Sequence, residues 1–298
     1  MKKITSIIIV SILLMSSVFA KQISRVFPKK DELDIECVLG SCEFQKSPDN
    51  RIHVTVEHNY DADYFTPVFE EEDDKLTIEE DLHENGHDFY NQKSNWTIKV
   101  PDGMEIEFST ATGELSIEDI SAEFEGSCAT GSITITNAKG EYEVNSGTGE
   151  IIVENCEGEF ELNSGTGDVV IRDSKGEFEA NSGTGDVEAE KLIIVDSGDF
   201  NSGTGDVELS GWAGEKFELE INSGTGNAEL DMAGEKIEGY YTMSAMKYGS
   251  EIESDFKFDT VEEYNNGSED RIRKSFTLGK SDNTIKISSG TGDAILKK

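Results

Sequence analysis

Basic residues are scarce in this 298-residue chain: 26 Lys+Arg stand against 62 Asp+Glu, a formal net charge of −36 with the four His neutral. A phosphate backbone is held by basic side chains that release its counterions, so the shortage excludes a nucleic-acid partner and disfavours an anionic membrane surface. Proline is limited to 4 residues, tryptophan to 2 and cysteine to 4. Beyond residue 20 no apolar run approaches the ~20 residues a helix needs to cross a bilayer. Hydrophobic residues still make up 35% and glycine adds 29 residues, so the chain can bury a core despite a charge excess that by itself points to disorder.

The first twenty residues read as a secretory signal. Met1-Lys2-Lys3 is a basic start, Ile7 to Met15 a short apolar run, and Val18-Phe19-Ala20 a cleavage pattern. The mature chain is expected to begin at Lys21, with no transmembrane segment after signal removal, and to be periplasmic, cell-surface or secreted. Export permits disulfides, and four cysteines can pair in three ways. Cys37 and Cys42 flank Val38-Leu39-Gly40-Ser41 at a tight-turn spacing and are the preferred pair; Cys128 and Cys156 are 28 residues apart, off the repeat period, and no bond is expected between them. A zinc site would need a second cysteine pair to complete C-x₄-C.

The dominant feature is a repeat. Asn-Ser-Gly-Thr-Gly recurs from Asn145, Asn163, Asn181, Asn201 and Asn222, with a variant at Ser288–Gly292. The second glycines, counting weaker copies at Gly113 and Gly131, step by 18, 18, 18, 18, 20 and 21 residues. Gly158-Glu159-Phe160-Glu161-Leu162 alternates polar and apolar, as do its counterparts, and so do the arms after the turn, such as Ile151/Val153 and Val169/Ile171. Period two means strands with one buried face. The expected fold is all-β: a single-chain β-solenoid, parallel β-helix-like, with ~18-residue coils stacked ~4.8 Å apart and irregular caps. A flat antiparallel meander is the rival, but its hairpins would want two-residue turns.

The turn residues have a structural explanation: glycine supplies positive φ, asparagines can stack into a hydrogen-bonded ladder, and hydroxyls satisfy the backbone. The sharper reading is a cation column, since Glu150, Asp168, Asp186, Asp206 and Asp293 follow the second glycine and stacked carboxylates could share divalent ions. No other cofactor is expected. A phosphate cradle would need a following helix, and a strand follows instead.

Repeated Ser-Gly-Thr-Gly-Asp-Val, the run Trp96-Thr97-Ile98-Lys99-Val100-Pro101-Asp102-Gly103, the segment Tyr248 to Phe256 and the closing Asn283 to Ala294 resemble the bacterial “putative adhesin” family of β-strand-repeat proteins of unknown function, the DUF4097 type. The resemblance spans residues 33 to 296 and implies an exported β-solenoid with no known enzymatic activity; related domains also occur in cell-envelope stress proteins. The chain departs from the family in its excess of Glu and the near-identity of its middle repeats.

The expected organisation is a signal peptide at 1–20, irregular capping strands at 21–108, the regular solenoid at 109–237, and an aromatic insertion with the final coil at 238–298. In the last segment Tyr240, Tyr248, Tyr264, Arg271 and Arg273 read as a cap or a protruding recognition loop, with Asn265-Asn266-Gly267 at its tip.

Two enzyme classes have partial signals in the sequence. His83-Glu84-Asn85-Gly86-His87 satisfies H-E-x-x-H, but zinc hydrolysis needs a helix there and Asn85-Gly86 is a turn signal. A glycosidase needs two acids in unlike environments beside stacking aromatics, and the outward positions are uniformly Glu. The chain therefore reads as a non-enzyme, an adhesin-like surface protein or, alternatively, an envelope-stress or structural accessory. Its chosen interaction face for an unknown protein or surface ligand is the outward column pair Glu123, Glu141, Glu159, Glu177 and Glu125, Glu143, Glu161, Glu179.

Overall fold

The computed structural model describes residues 21–61, 63–83, 92–267 and 269–298, and all regular structure among them is β. One repeat shows how the sequence builds a coil. The strand Glu157–Thr166 leads through Gly167-Asp168 into the short strand Val169–Arg172, and a corner at Asp173-Ser174 starts the next long strand, Lys175–Thr184. Long strands stack on long and short on short, all parallel, with Phe160 beside Phe178 and Val169 beside Val187. The result is a solenoid with a 14-stranded and a 13-stranded sheet as its two walls.

The alternation puts Phe160, Leu162 and Ser164 inside and Glu159 and Glu161 outside. Phe124, Tyr142, Phe160 and Phe178 form a column with ring centroids 6.2, 5.6 and 5.6 Å apart. Each of these rings is almost wholly buried, which makes the column a large part of the apolar gain on folding. The corner glycines are required by geometry: Gly167 has φ +148°, and a Cβ there would sit 2.4 Å from the Gly149 carbonyl oxygen. The opposite corner uses Asn137, Asn155 and Asp173 with φ of 54°, 55° and 49°, residue types that tolerate the left-handed region.

The 20-residue step is absorbed in the strand Ile193–Thr204, where the register shifts between Gly176 and Phe178. Phe178 then stands beside Gly198, and Ala180 beside Phe200. Large and small exchange places, so the core keeps its volume through the irregular coil.

At both ends spatial order departs from chain order. Glu32–Cys37 lies between Glu105–Thr112 and Lys75–Leu82, and Gly40–Lys46 between Leu115–Glu118 and Ser94–Val100. Likewise the last coil, Thr284–Ser289 with Ala294–Lys297, is slotted inside Gly239–Met246 and Ile252–Ser254. Antiparallel strands then close the walls: Arg51–His58 and Lys21–Pro28 on one, Phe65–Glu71 on the other, and Asp270–Leu278 with Thr260–Asn265 at the far end. Lys21, Arg25, Pro28, Pro67, Glu262 and Glu263 lie on outermost strands, where charge and proline discourage edge-to-edge pairing.

Cys37 and Cys42 lie on the two sides of one corner, and they, Cys128 and Cys156 are buried thiols in this structure. Hydrogen bonds hold this corner. The buried Glu80 carboxylate accepts from the Val38 and Leu39 N–H groups at 2.6 and 2.9 Å and from the Ser94 hydroxyl at 2.6 Å.

Candidate interaction face

Because the coils stack in register, one outward residue per coil becomes a column. Glu32, Glu105, Glu123, Glu141, Glu159 and Glu177 form the first, six carboxylates on adjacent rungs. Asp34, Glu107, Glu125, Glu143, Glu161, Glu179, Asp199 and Glu220 form the second, eight in succession. All eight Glu residues chosen from sequence therefore share one face. Sequence reasoning missed Glu32, Glu105, Asp34, Glu107, Asp199 and Glu220, since the first four precede the strict repeat and the last two follow longer steps; the signal was the same alternation, read across unequal spacings.

Among the described residues, the cations that pair with members of these columns stand at the column ends, while Lys139 and Lys175 flank the first column and pair with Glu157 at 2.9 and 3.5 Å. Lys75 pairs with Glu32 and, at 3.4 Å, with Asp34; Lys286 pairs with Glu220 at 3.2 Å. Between them runs a shallow groove of ≈ 390 Å³, lined by Glu141, Glu143, Glu159, Glu161, Glu177, Glu179 and Asp199 among others. Partial burial, and then the charges of Glu143, Glu107, Glu105 and Glu123, push the Glu125 carboxyl above its ordinary value. Burial does the same for Asp199, helped by Glu220 and Glu179 and opposed by an Asn201 hydrogen bond.

The asparagines of the repeat border the second column and orient it. Asn163, Asn181, Asn201 and Asn222 each donate to the carboxamide oxygen of the asparagine one coil earlier, at 3.1, 2.9, 2.9 and 2.9 Å. The same nitrogens of Asn163, Asn181 and Asn201 donate to Glu161, Glu179 and Asp199 at 3.1, 3.1 and 2.9 Å. One amide thus stitches coils together and holds an acid upright. Inside the corner, Ser164 and Ser182 donate to the Gly149 and Gly167 carbonyls at 3.0 and 2.8 Å.

The acids of the candidate cation column take part in hydrogen bonds between coils. Asp168 and Asp186 each accept a backbone N–H from the acidic residue one coil later, at 2.8 and 2.7 Å. Asp206 accepts from Asn227 N–H at 2.7 Å, and Asp293 from Glu251 N–H at 2.7 Å; Glu150 heads the same turn position. Among the described residues no three His, Cys, Asp or Glu groups converge to hold a metal ion.

Of the H-E-x-x-H string, Glu84 to His87 lie outside the described residues. His83 is exposed, just past the end of the strand Lys75–Leu82, with Nδ1 3.6 Å from Asp81. In the C-terminal hairpin the Arg273 guanidinium lies 4.6 Å from the Tyr264 ring centre, and Arg271 is buried, donating to the Ser289 carbonyl at 2.7 Å. Tyr248 is 68% exposed.

A family model, Toastrack DUF4097, matches residues 31–259 of this chain. The chain belongs to the Toastrack DUF4097 family. No curated protein matches the sequence of this Toastrack chain. Among solved structures it is similar to one from Clostridium sporogenes described as a “putative cell adhesion protein”, at 14% identity and TM-score 0.28, covering 94% of this chain and 99% of that one. A “putative lipid binding protein” from Parabacteroides distasonis is 13% identical with TM-score 0.46, at 93% and 96% coverage. A “putative adhesin” from the same organism is 12% identical with TM-score 0.34, at 93% and 97% coverage. No helix among the described residues is long and apolar enough to cross a membrane.

Proposed function

We propose that this Toastrack protein is an exported, non-catalytic, adhesin-like surface module whose acid-columned sheet face docks a cationic partner at or outside the bacterial envelope. The observation that carries the reading is the register of the two columns. Rungs ~4.8 Å apart with two carboxylates each give one negative charge per ~2.4 Å of axis, approaching the ~1.7 Å of duplex DNA. A surface of that density gathers counterions, and a polycation that displaces them gains their release. The asparagine ladder fixes the acids beforehand, so less side-chain entropy is lost on docking.

The test is titration with an oligolysine peptide over a salt series. Binding should weaken steeply as salt rises, and reversing Glu143 and Glu161 to Lys should cost at least ~10-fold in affinity. Salt-independent binding, or none at low salt, would overturn the cationic-partner reading. N-terminal sequencing of the protein recovered outside the cytoplasm checks export and should begin at Lys21.

A further inference from the structure

Four buried thiols remain without a role, and the coil register decides which of them can meet. Cys37 closes the strand Glu32–Cys37 at the position that Thr110, Cys128 and Ser146 occupy in other coils. Cys128 is therefore two rungs from Cys37, ~9.6 Å at the ~4.8 Å strand spacing, beyond the roughly 7 Å between Cα atoms that a disulfide spans. Cys42 belongs to the same coil as Cys37, beside Leu115 in the short-strand wall, so it too is two rungs from Cys128, whose coil carries Ile133. Cys156 is at another corner, where its N–H donates to Ser174 at 3.0 Å. It is eight residues along the chain from Ser164, the rung partner of Ser146 in the Cys128 column, and so ~26 Å away along the strand. Only Cys37 and Cys42 share a coil, one on each side of a single corner.

That corner is fixed from both sides. Glu80 receives the Val38 and Leu39 N–H groups. The next coil takes the Val38 carbonyl through Thr112 N–H at 3.0 Å and the Gly40 carbonyl through the Thr110 hydroxyl at 3.2 Å, and supplies the Glu114 carbonyl to Cys42 N–H at 2.8 Å.

We propose that Cys37 and Cys42 are the oxidation site of this protein: a small-molecule disulfide such as oxidised glutathione links them while the chain folds, and Cys128 and Cys156 stay reduced. One cysteine thiolate attacks a sulfur of the oxidant and expels a glutathione thiolate. The second cysteine thiolate then attacks the cysteine sulfur of the mixed disulfide and expels the other. The two electrons leave the cysteine pair, and the two thiol protons end on the two glutathiones. Order in time follows from burial, because the attacking species is the thiolate. Burial first, and then the charges of Glu80 and Cys128, hold the Cys37 thiol well above its ordinary value, and burial and Cys37 do so for Cys42. Oxidation therefore precedes closure of the corner.

The experiment refolds reduced, denatured protein with or without glutathione disulfide, then counts free thiols by maleimide mass labelling in denaturant. Oxidative refolding should leave two adducts, on Cys128 and Cys156, and reductive refolding all four. Protein folded first and then given the same oxidant should keep four over the same interval. Cys37→Ser introduces the residue that regular coils hold at this position (Ser146, Ser164), so it should fold and retain its three remaining thiols free. Four adducts after oxidative refolding, or a bond mapped to Cys128 or Cys156, overturns the site. Equal oxidation of the folded protein overturns the order of events.

Discussion

The backbone N–H of Asp186 donates to the carboxylate of Asp168, one coil earlier, at 2.8 Å. The pattern continues through Asp206 and then Asn227, whose side-chain oxygen accepts from Asp293 N–H at 3.0 Å. Asn227 replaces an acid without breaking the series, so the series needs an acceptor and not a charge.

Asp168→Ala should therefore lower stability by about 1 kcal/mol, since the Asp186 N–H loses its partner, while Asp168→Asn should be close to neutral. Urea unfolding of the two variants checks this; equal losses would mean that charge matters more than the bond.

Gly167→Ala places a methyl 2.4 Å from the Gly149 carbonyl oxygen at φ +148°. The coils must part or the corner must rebuild, and the expected cost is about 2 kcal/mol or more. Gly103, with φ +73° and nothing within reach of a Cβ, gives the contrast: Gly103→Ala should cost only the backbone strain, about 1 kcal/mol.

Phe160→Ala removes the ring between Tyr142 and Phe178, 5.6 Å from each. A buried aromatic truncated to alanine costs about 3–5 kcal/mol. Because contacts run only to neighbouring coils, the loss should appear in hydrogen exchange as local opening around residues 139–190 before the ends respond.

His58 is buried against Phe65, with ring centroids 4.1 Å apart. Burial, and then the charge of Lys21, hold its pKa below the ordinary value. Above about pH 6.5 the ring is neutral folded or unfolded and contributes no slope. As pH falls below that, the unfolded chain takes the proton and the folded chain does not, so stability is lost until the lowered folded value is reached. His58→Phe should flatten this part of the pH profile, read through the fluorescence of the neighbouring buried Trp96.

The acid columns carry the opposite sign. Glu125 is held above its ordinary value, so its ionised form costs stability that returns as pH falls through the raised value. Glu125→Gln should stabilise at neutral pH by about 0.5 kcal/mol, the scale of a like-charge cross-strand pair. The gain should shrink as salt screens the column, and a gain independent of salt would point to a cause other than repulsion.

Much of the solenoid was legible because each coil states itself locally. Phe160 and Leu162 alternate with Glu159 and Glu161, the glycine marks each corner, and the period brings Asn145 under Asn163 without reference to anything distant. The acid face follows from the same arithmetic. The slotting of Glu32–Lys46 and Thr284–Lys297 one coil in from each end does not, because it is a long-range pairing that no local pattern encodes. Nor does the exchange of Phe178/Ala180 for Gly198/Phe200 appear until two coils are set side by side.

The sequence by itself determined the coil, its period and the inward and outward faces, since these depend on residue type and spacing alone. Tertiary structure decided what the spacing left open. The Asp residues after each glycine became acceptors for the next coil's N–H groups because stacking brings an unpaired donor to each of them. Cys37 and Cys42 came to share one corner, and the two acid columns closed into a single face ended by Lys75 and Lys286, because register between coils is fixed only when coils stack.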